Sequence, residues 1–236
     1  PTGSGKTTTL YSALSEMEDG TRKIVTIEDP VEYEMSGVVQ IPVNDSVDMG
    51  FANILRAILR HDPDIIFVGE IRDRETAEIA IQAALTGHLV LATLHTNTAI
   101  GAISRLLEMG IPDFLLSTSL VAVSAQRLVR KLCPECKTHT PATPALSERY
   151  GFPEAMLMYE PVGCSKCASI GYRGRIPLFE YKAVDSRVRS EILNNPSIDA
   201  LEAAAAPSSP HNLIDDGIAK VREGLTSLEE VLRVVS

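Results

Sequence analysis

The sequence predicts an α/β domain built on a parallel sheet, followed by a small four-cysteine lobe and a C-terminal helical region. Three observations carry this. Short, unbroken apolar runs alternate with helical patterns of about 10 to 15 residues, the signature of a parallel sheet covered by helices. The first eleven residues, PTGSGKTTTLY, form a glycine-rich loop that opens a helix. Four cysteines, grouped as two C-x-x-C pairs, follow the alternating region. The expected boundaries are residues 1–130 for the α/β core, 131–178 for the cysteine lobe and 179–236 for the helices.

Taken in order, the loop comes first. It matches G-x-x-x-x-G-K-[ST] except for the leading glycine, which would stand just before Pro1. Backbone N–H groups of such a loop make a concave anion site, and the helix that follows adds its positive end. Pro1, Thr2, Gly3, Ser4, Gly5, Lys6, Thr7 and Thr8 are therefore candidate phosphate-binding residues. Lys6 is expected to reach the β- and γ-phosphates of a nucleotide, and the Thr7 hydroxyl to sit on Mg²⁺. Because Pro1 is not Met and the leading glycine lies upstream, the chain reads as part of a longer protein. Its turnover is expected to need residues from that missing part.

A helix is expected over residues 7–18, stopped by Asp19-Gly20. KIVTI (23–27) reads as a strand, and 31–43 as a hairpin turning at Ser36-Gly37. An amphipathic helix over 51–60 places Ile54, Leu55, Ile58 and Leu59 on one face. IIFVG (65–69) reads as a strand buried on both faces, 72–85 as a helix, and 89–94 as another buried strand. Helices are expected over 99–109 and 113–130. THTPATP (138–144) looks like an exposed loop. Beyond Phe179 the pattern is one of short helices, broken at Asn194-Asn195-Pro196 and over 206–210, with the alanine run 203–206 inside a helix.

If the sheet is parallel, three strand ends deliver polar residues to the edge where open α/β sheets bind ligands. They supply Glu28 with Asp29, then Glu70, then His95. Phosphoryl transfer needs positioning, Mg²⁺, neutralising charge and a group that orients the attacking water. Glu70 and Glu28 both qualify for the Mg²⁺ shell and for water activation, and the residue types do not divide those roles. His95 suits a contact with the γ-phosphate as well as it suits a satisfied rim histidine. His88, beside Gly87, reads as a helix-end cap.

Composition narrows the field. The 236 residues are 44% hydrophobic, enough for one large domain with small satellites. A net charge of −9, 5% aromatics, no tryptophan and no basic stripe argue against a nucleic-acid surface. No apolar run is long enough to span a bilayer; the longest, 114–125, is broken by Ser and Thr. Cys133, Cys136, Cys164 and Cys167 give C-x₂-C, 27 intervening residues, and C-x₂-C again. Two such pairs suit one structural, tetrahedral Zn²⁺, whereas a redox reading leaves the second pair unexplained. His139 reads as a solvated loop residue.

The segments TIEDPVEY (26–33), ILRHDPDIIFVGEIRDRETAE (58–78) and TGHLVLATLHTN (86–97) resemble the Asp box, Walker B and His box of secretion ATPases. These are the hexameric motors of type II secretion and type IV pilus assembly. QRLVRKLCPEC (126–136), GYRGR (171–175) and GLTSLEEVLRV (224–234) extend the likeness over nearly the whole chain. The resemblance implies a RecA-like P-loop domain in a homo-hexamer that hydrolyses ATP with Mg²⁺. It assigns Glu28, Glu70 and His95 to the catalytic boxes. It implies a cytoplasmic location at a bacterial inner membrane, reached peripherally through platform and recruitment proteins, while the acidic balance and scarce aromatics point to no nucleic-acid partner. The tetracysteine lobe, which retraction motors lack, points to secretion or pilus extension. The chain departs from the family at Thr98, where an acidic residue is usual, and at Ile176-Pro177. Arg56, Arg60, Arg72 and Arg74 lie near the expected site in sequence, with Arg72 and Arg74 read as helix-start and interface residues. The competing classes are a RecA-like nucleic-acid translocase and a nucleotide-binding regulatory subunit that does not hydrolyse.

Overall fold

A computed structural model describes every residue except Asp48, Ala155, Asn195 and Ser236. The chain divides into two units, Lys6–Val123 with Lys182–Ser209, and Pro1–Gly5 with Ser124–Tyr181 and Pro210–Ser236.

The first unit holds a four-stranded sheet in the order β2-β1-β3-β4. Its strands are β1 (Ile24–Glu28), β2 (Val38–Pro42), β3 (Ile65–Val68) and β4 (Leu89–Ala92). Every pairing is parallel: Ile24 faces Val38 on one side and Ile65 on the other, and Ile65 faces Leu89. The parallel sheet expected of a RecA-like domain is thus present. β1 and β3 are buried along their whole length, β3 as its continuous apolar run requires and β1 with Thr26 and Glu28 buried beside its apolar residues. β4, expected to be buried too, is one of the two edge strands of this sheet among the described residues, and Leu89 is 44% exposed.

Residues 31–43 do not form a hairpin. β2 lies parallel to β1, and residues 31–35 carry no strand. Pro30 has no N–H for a ladder, and the acidic stretch around it gains nothing from burial in a sheet.

Helix α1 (Lys6–Met17) packs Tyr11 and Leu14 onto Ile24, Ile65 and Phe67. Helix α2 (Phe51–Ile58) buries Phe51, Ile54, Leu55 and Ile58, one stripe of a 3.6-residue period. Helix α3 (Arg74–Leu85) starts at an Asp73 cap, whose carboxylate accepts the Thr76 N–H at 2.8 Å. His88 Nδ1 lies 2.8 Å from the Ala83 carbonyl at the far end of α3, the capping position expected for it. Helix α4 (Ala99–Glu108) is capped by Thr98, which accepts the Gly101 N–H at 3.0 Å. Asp ranks at least as high as Thr as a helix cap, so either residue suits this position.

Helix α5 (Asp113–Ser119) is much shorter than expected, because the chain turns extended and forms β5 (Ala122–Leu132). Val123, Ala125 and Val129 alternate inward, and the β-branched valines favour the pleated conformation. Helices α7 (Ser186–Ile192) and α8 (Ile198–Ala205) complete this unit, capped by Asp185 and Ser197. The break between them falls at the expected place, with Asn195 itself outside the described residues.

In the second unit β5 pairs with β8 (Tyr172–Ala183). Strands β6 (Thr138–Pro141) and β7 (Leu157–Glu160) form an antiparallel pair, so part of the expected loop is an exposed strand. The rest starts helix α6 (Pro144–Tyr150), with Thr143 as cap and Pro144 in the first turn. The core gathers Val129, Phe152, Leu178, Leu213, Ile218, Val221, Leu228 and Val231. Helices α9 (Leu213–Arg222) and α10 (Leu228–Val235) touch closely at Gly217, where a Cβ would meet Val231 Cγ1 at 2.4 Å. Glu230 is buried, accepting from Arg130 at 2.7 Å and Arg233 at 2.8 Å. Burial acts to raise its carboxyl, but the two arginines outweigh it and hold the group down at about 2.

Candidate active site and cysteine cluster

The phosphate-loop motif begins in the second unit. Gly3 and Gly5 have φ of +74° and +87°, which side chains rarely adopt. At Gly5 a Cβ would also meet Gln126 Nε2 at 2.7 Å and Leu128 Cδ2 at 3.3 Å. Gln126 in turn donates to the Ser4 carbonyl at 2.8 Å, so β5 holds the loop from below. Pro1 is partly buried, Thr2 and Gly3 are exposed, and Ser4 is buried. α1 starts at Lys6; Lys6 and Thr7 are half-buried and Thr8 is exposed.

In the first unit the ends of β1, β3 and β4 lie side by side by register. Gly69 donates to the Ile27 carbonyl at 2.8 Å, and a Cβ on Gly69 would meet that oxygen at 2.9 Å and Glu28 Cα at 3.3 Å. The Thr93 hydroxyl donates to the Gly69 carbonyl at 2.5 Å, and the Ile71 N–H to the Thr93 carbonyl at 2.9 Å. The segment bearing Glu70 is therefore tied on both sides.

Glu70 and His95 meet as the order of the strands predicts, with His95 Nε2 2.9 Å from Glu70 Oε2. The other Glu70 oxygen accepts from Arg72 Nη2, which also donates to Asp29 Oδ2 at 3.1 Å. The Arg72 hydrogen bond, opposed by burial and helped by His95, holds the Glu70 carboxyl below the usual carboxylate range. Glu70 is thus an anion with 16% of its side chain exposed. Such a group can ligate a hard cation or orient a water molecule.

Glu28 stands apart from this group. It is 3% exposed, and its oxygens are taken up by Tyr11, by Thr26 Oγ1 at 2.5 Å and by Gln40 Nε2 at 3.2 Å. Asp29 is the residue of that acidic pair that reaches the Glu70 group, through Arg72. Arg72, read from sequence as a helix-start residue, contacts the candidate catalytic acid directly. Tyr11, Thr26, Gln40 and Thr93 were not singled out by motif. A polar residue inside an otherwise apolar strand, as Thr26 in KIVTI and Gln40 in VVQIP, is the signal that points to them, because buried polar groups need partners.

The four cysteine sulfurs lie within 4.8 Å of one another. Cys133 and Cys164 are 4.0 Å apart, and Cys167 is 3.8 Å from both Cys136 and Cys164. Four thiolates at 2.3 Å around a tetrahedral Zn²⁺ would stand about 3.8 Å apart, so the donor set and its spacing fit that ion. Backbone N–H groups turn toward the sulfurs, with Gly163 donating to Cys136 at 3.3 Å and Cys164 and Gly171 to Cys167 at 3.2 Å. Burial acts to raise the Cys167 thiol, but the Cys164 and Gly171 backbone groups and the neighbouring sulfurs outweigh it and bring it below its ordinary range. Among the described residues no helix is long and apolar enough to cross a membrane.

Residues 1–233 match the family described as Type II/IV secretion system protein. The chain belongs to that family. Type II secretion system protein E of Pseudomonas aeruginosa is 55% identical over 236 residues, covering 99% of this chain and 47% of that protein. Type II secretion system ATPase E of Vibrio cholerae serotype O1 is 51% identical over 236 residues, with the same two coverages. This member of the secretion family thus spans about half the length of the relatives it matches. Its fold also matches a crystal structure of the pilus retraction motor PilT with bound ADP. That match has a TM-score of 0.73 and 32% identity, over all of this chain and 59% of that one.

Proposed function

We propose that the protein is an ATP-hydrolysing motor subunit, acting as a homo-hexamer, that powers type II secretion or the assembly of a type IV pilus or pseudopilus. The observation that carries the proposal is Glu70, kept ionised and tied to His95 and Arg72 at the strand end of a P-loop protein. Its relatives include a secretion ATPase and an ADP-bound pilus motor, which supports ATP as the nucleotide.

In this reading residues 1–8 bind the phosphates, with Lys6 as the neutralising charge. Thr7 and Glu70 would hold Mg²⁺, which supplies charge neutralisation at the β- and γ-phosphates when bound. Glu70 also takes the water-orienting role ahead of Glu28, because Glu28 is already engaged by three donors. His95 reports the γ-phosphate to Glu70. The cysteine lobe over 131–178 carries structural Zn²⁺ and supports secretion or extension over retraction. Partners at the inner membrane, a platform and a recruitment protein, are met from the cytoplasmic side.

The test is Mg²⁺-dependent ATP turnover by the purified full-length protein and by Lys6→Ala. Turnover that Lys6→Ala abolishes is the expected result. Tight ATP binding with no turnover in the unmodified protein would replace this reading with a regulatory nucleotide-binding subunit.

A further inference from the structure

Glu28 and Tyr11 are engaged with each other in a way the reading above does not use. Tyr11 lies on α1, five residues after Lys6, and is 1% exposed. Its hydroxyl donates to Glu28 Oε2 and itself accepts from the Glu32 N–H at 3.4 Å and Gln40 Nε2 at 3.3 Å. Its ring stands edge-on to Tyr33 at 4.6 Å and to Phe67 at 6.5 Å between centroids. One phenol therefore joins the helix behind the phosphate loop to the end of β1, to the segment after it and to β2. Burial, and then the hydrogen bond to Glu28, push its hydroxyl up to about 12, so it stays a donor across the working range.

The next residue along the chain completes a path. Asp29 follows Glu28 and accepts from Arg72, and Arg72 donates to Glu70. Whatever fixes the end of β1 also fixes the second acceptor of Arg72, and with it the charge beside Glu70.

We propose that Tyr11 is a positioning residue: through Glu28 it sets the end of β1 and so the Asp29–Arg72–Glu70 group, linking the phosphate-loop helix to the acid that works on water. The proposal rests on the ATPase reading. A phenol that acts through one carboxylate shows up as non-additivity, because two groups in a single network share a single loss. A group needed for transition-state geometry lowers kcat with little change in KM.

The experiment compares full-length wild type, Tyr11→Phe, Glu28→Gln and the double variant for ATP kcat, KM and thermal midpoint. Tyr11→Phe keeps the ring contacts and removes only the hydroxyl. We expect kcat to fall about tenfold with KM within twofold, and the double variant to be no slower than Glu28→Gln alone. Multiplying effects, or a lowered midpoint with kcat unchanged, would overturn the proposal and leave Tyr11 a packing residue. If Tyr11→Phe does not fold, Gln40→Leu removes a half-exposed donor to the same carboxylate and is expected to lower kcat at constant KM; no change in kcat would then count against the proposal. Absence of turnover in wild type defeats the ATPase reading itself, a result distinct from either of these.

Discussion

Glu70 owes its character to neighbours that no spacing rule names. Its carboxyl is held low by Arg72, with help from His95, and its place comes from Gly69, whose missing Cβ lets β1 approach. Gly69→Ala is expected to cost about 1–3 kcal/mol, because its Cβ would press on a backbone carbonyl that cannot rotate away. Urea denaturation of the full-length protein checks this, and an unchanged midpoint would contradict it. The candidate acids and the histidine were legible as residues at strand ends, and the loop from its glycine spacing. The different surroundings of Glu28 and Glu70 were not, because they depend on side-chain direction. Glu28 is drawn inward by a tyrosine 17 positions earlier in the chain, a contact with no local signature.

Elements were legible where the apolar period was clean and illegible where two periods competed. β1, β3 and α2 follow their patterns. The stretch 113–130 carries enough leucine and alanine to read as a helix, yet its valines alternate and find a partner in β8, so pairing decides. THTPATP looked like a loop for want of buried residues, but an exposed strand needs none. Caps are the most local of these signals. Thr98→Ala should therefore cost about 1 kcal/mol and Thr98→Asp almost nothing, read as shifts in the denaturation midpoint.

Glu230 on α10 gives a pH prediction for the second unit. Its carboxyl is depressed in the folded protein, so its contribution is complete above the usual carboxylate range and disappears as pH falls toward about 2. Glu230→Gln should cost about 3 kcal/mol near neutrality, the lower end for breaking a buried pair, since both arginines keep water contact. The cost should vanish at the acid end of that window. A constant difference between variant and wild type from pH 7 to pH 2 would contradict the assignment.

At the scale of the whole molecule, the α/β class and the cysteine lobe followed from alternation and spacing, since both are properties of order along the chain. The grouping of α7 and α8 with the sheet, and of α9 and α10 with the lobe, did not, because it depends on where β5 and β8 lead. Metal removal probes the second unit directly. Chelation of the full-length protein should release about one Zn²⁺ and lower its thermal midpoint, as expected when metal binding contributes to folding. A zinc-free protein with the same midpoint would contradict the Cys₄ reading.

The central claim is that Glu70 serves the hydrolytic step. Its most direct test is single-turnover ATP hydrolysis by full-length Glu70→Gln, measured beside its ATP affinity. The account predicts affinity within about threefold of wild type and a hydrolysis rate lowered about 100-fold or more. An unchanged hydrolysis rate would contradict it.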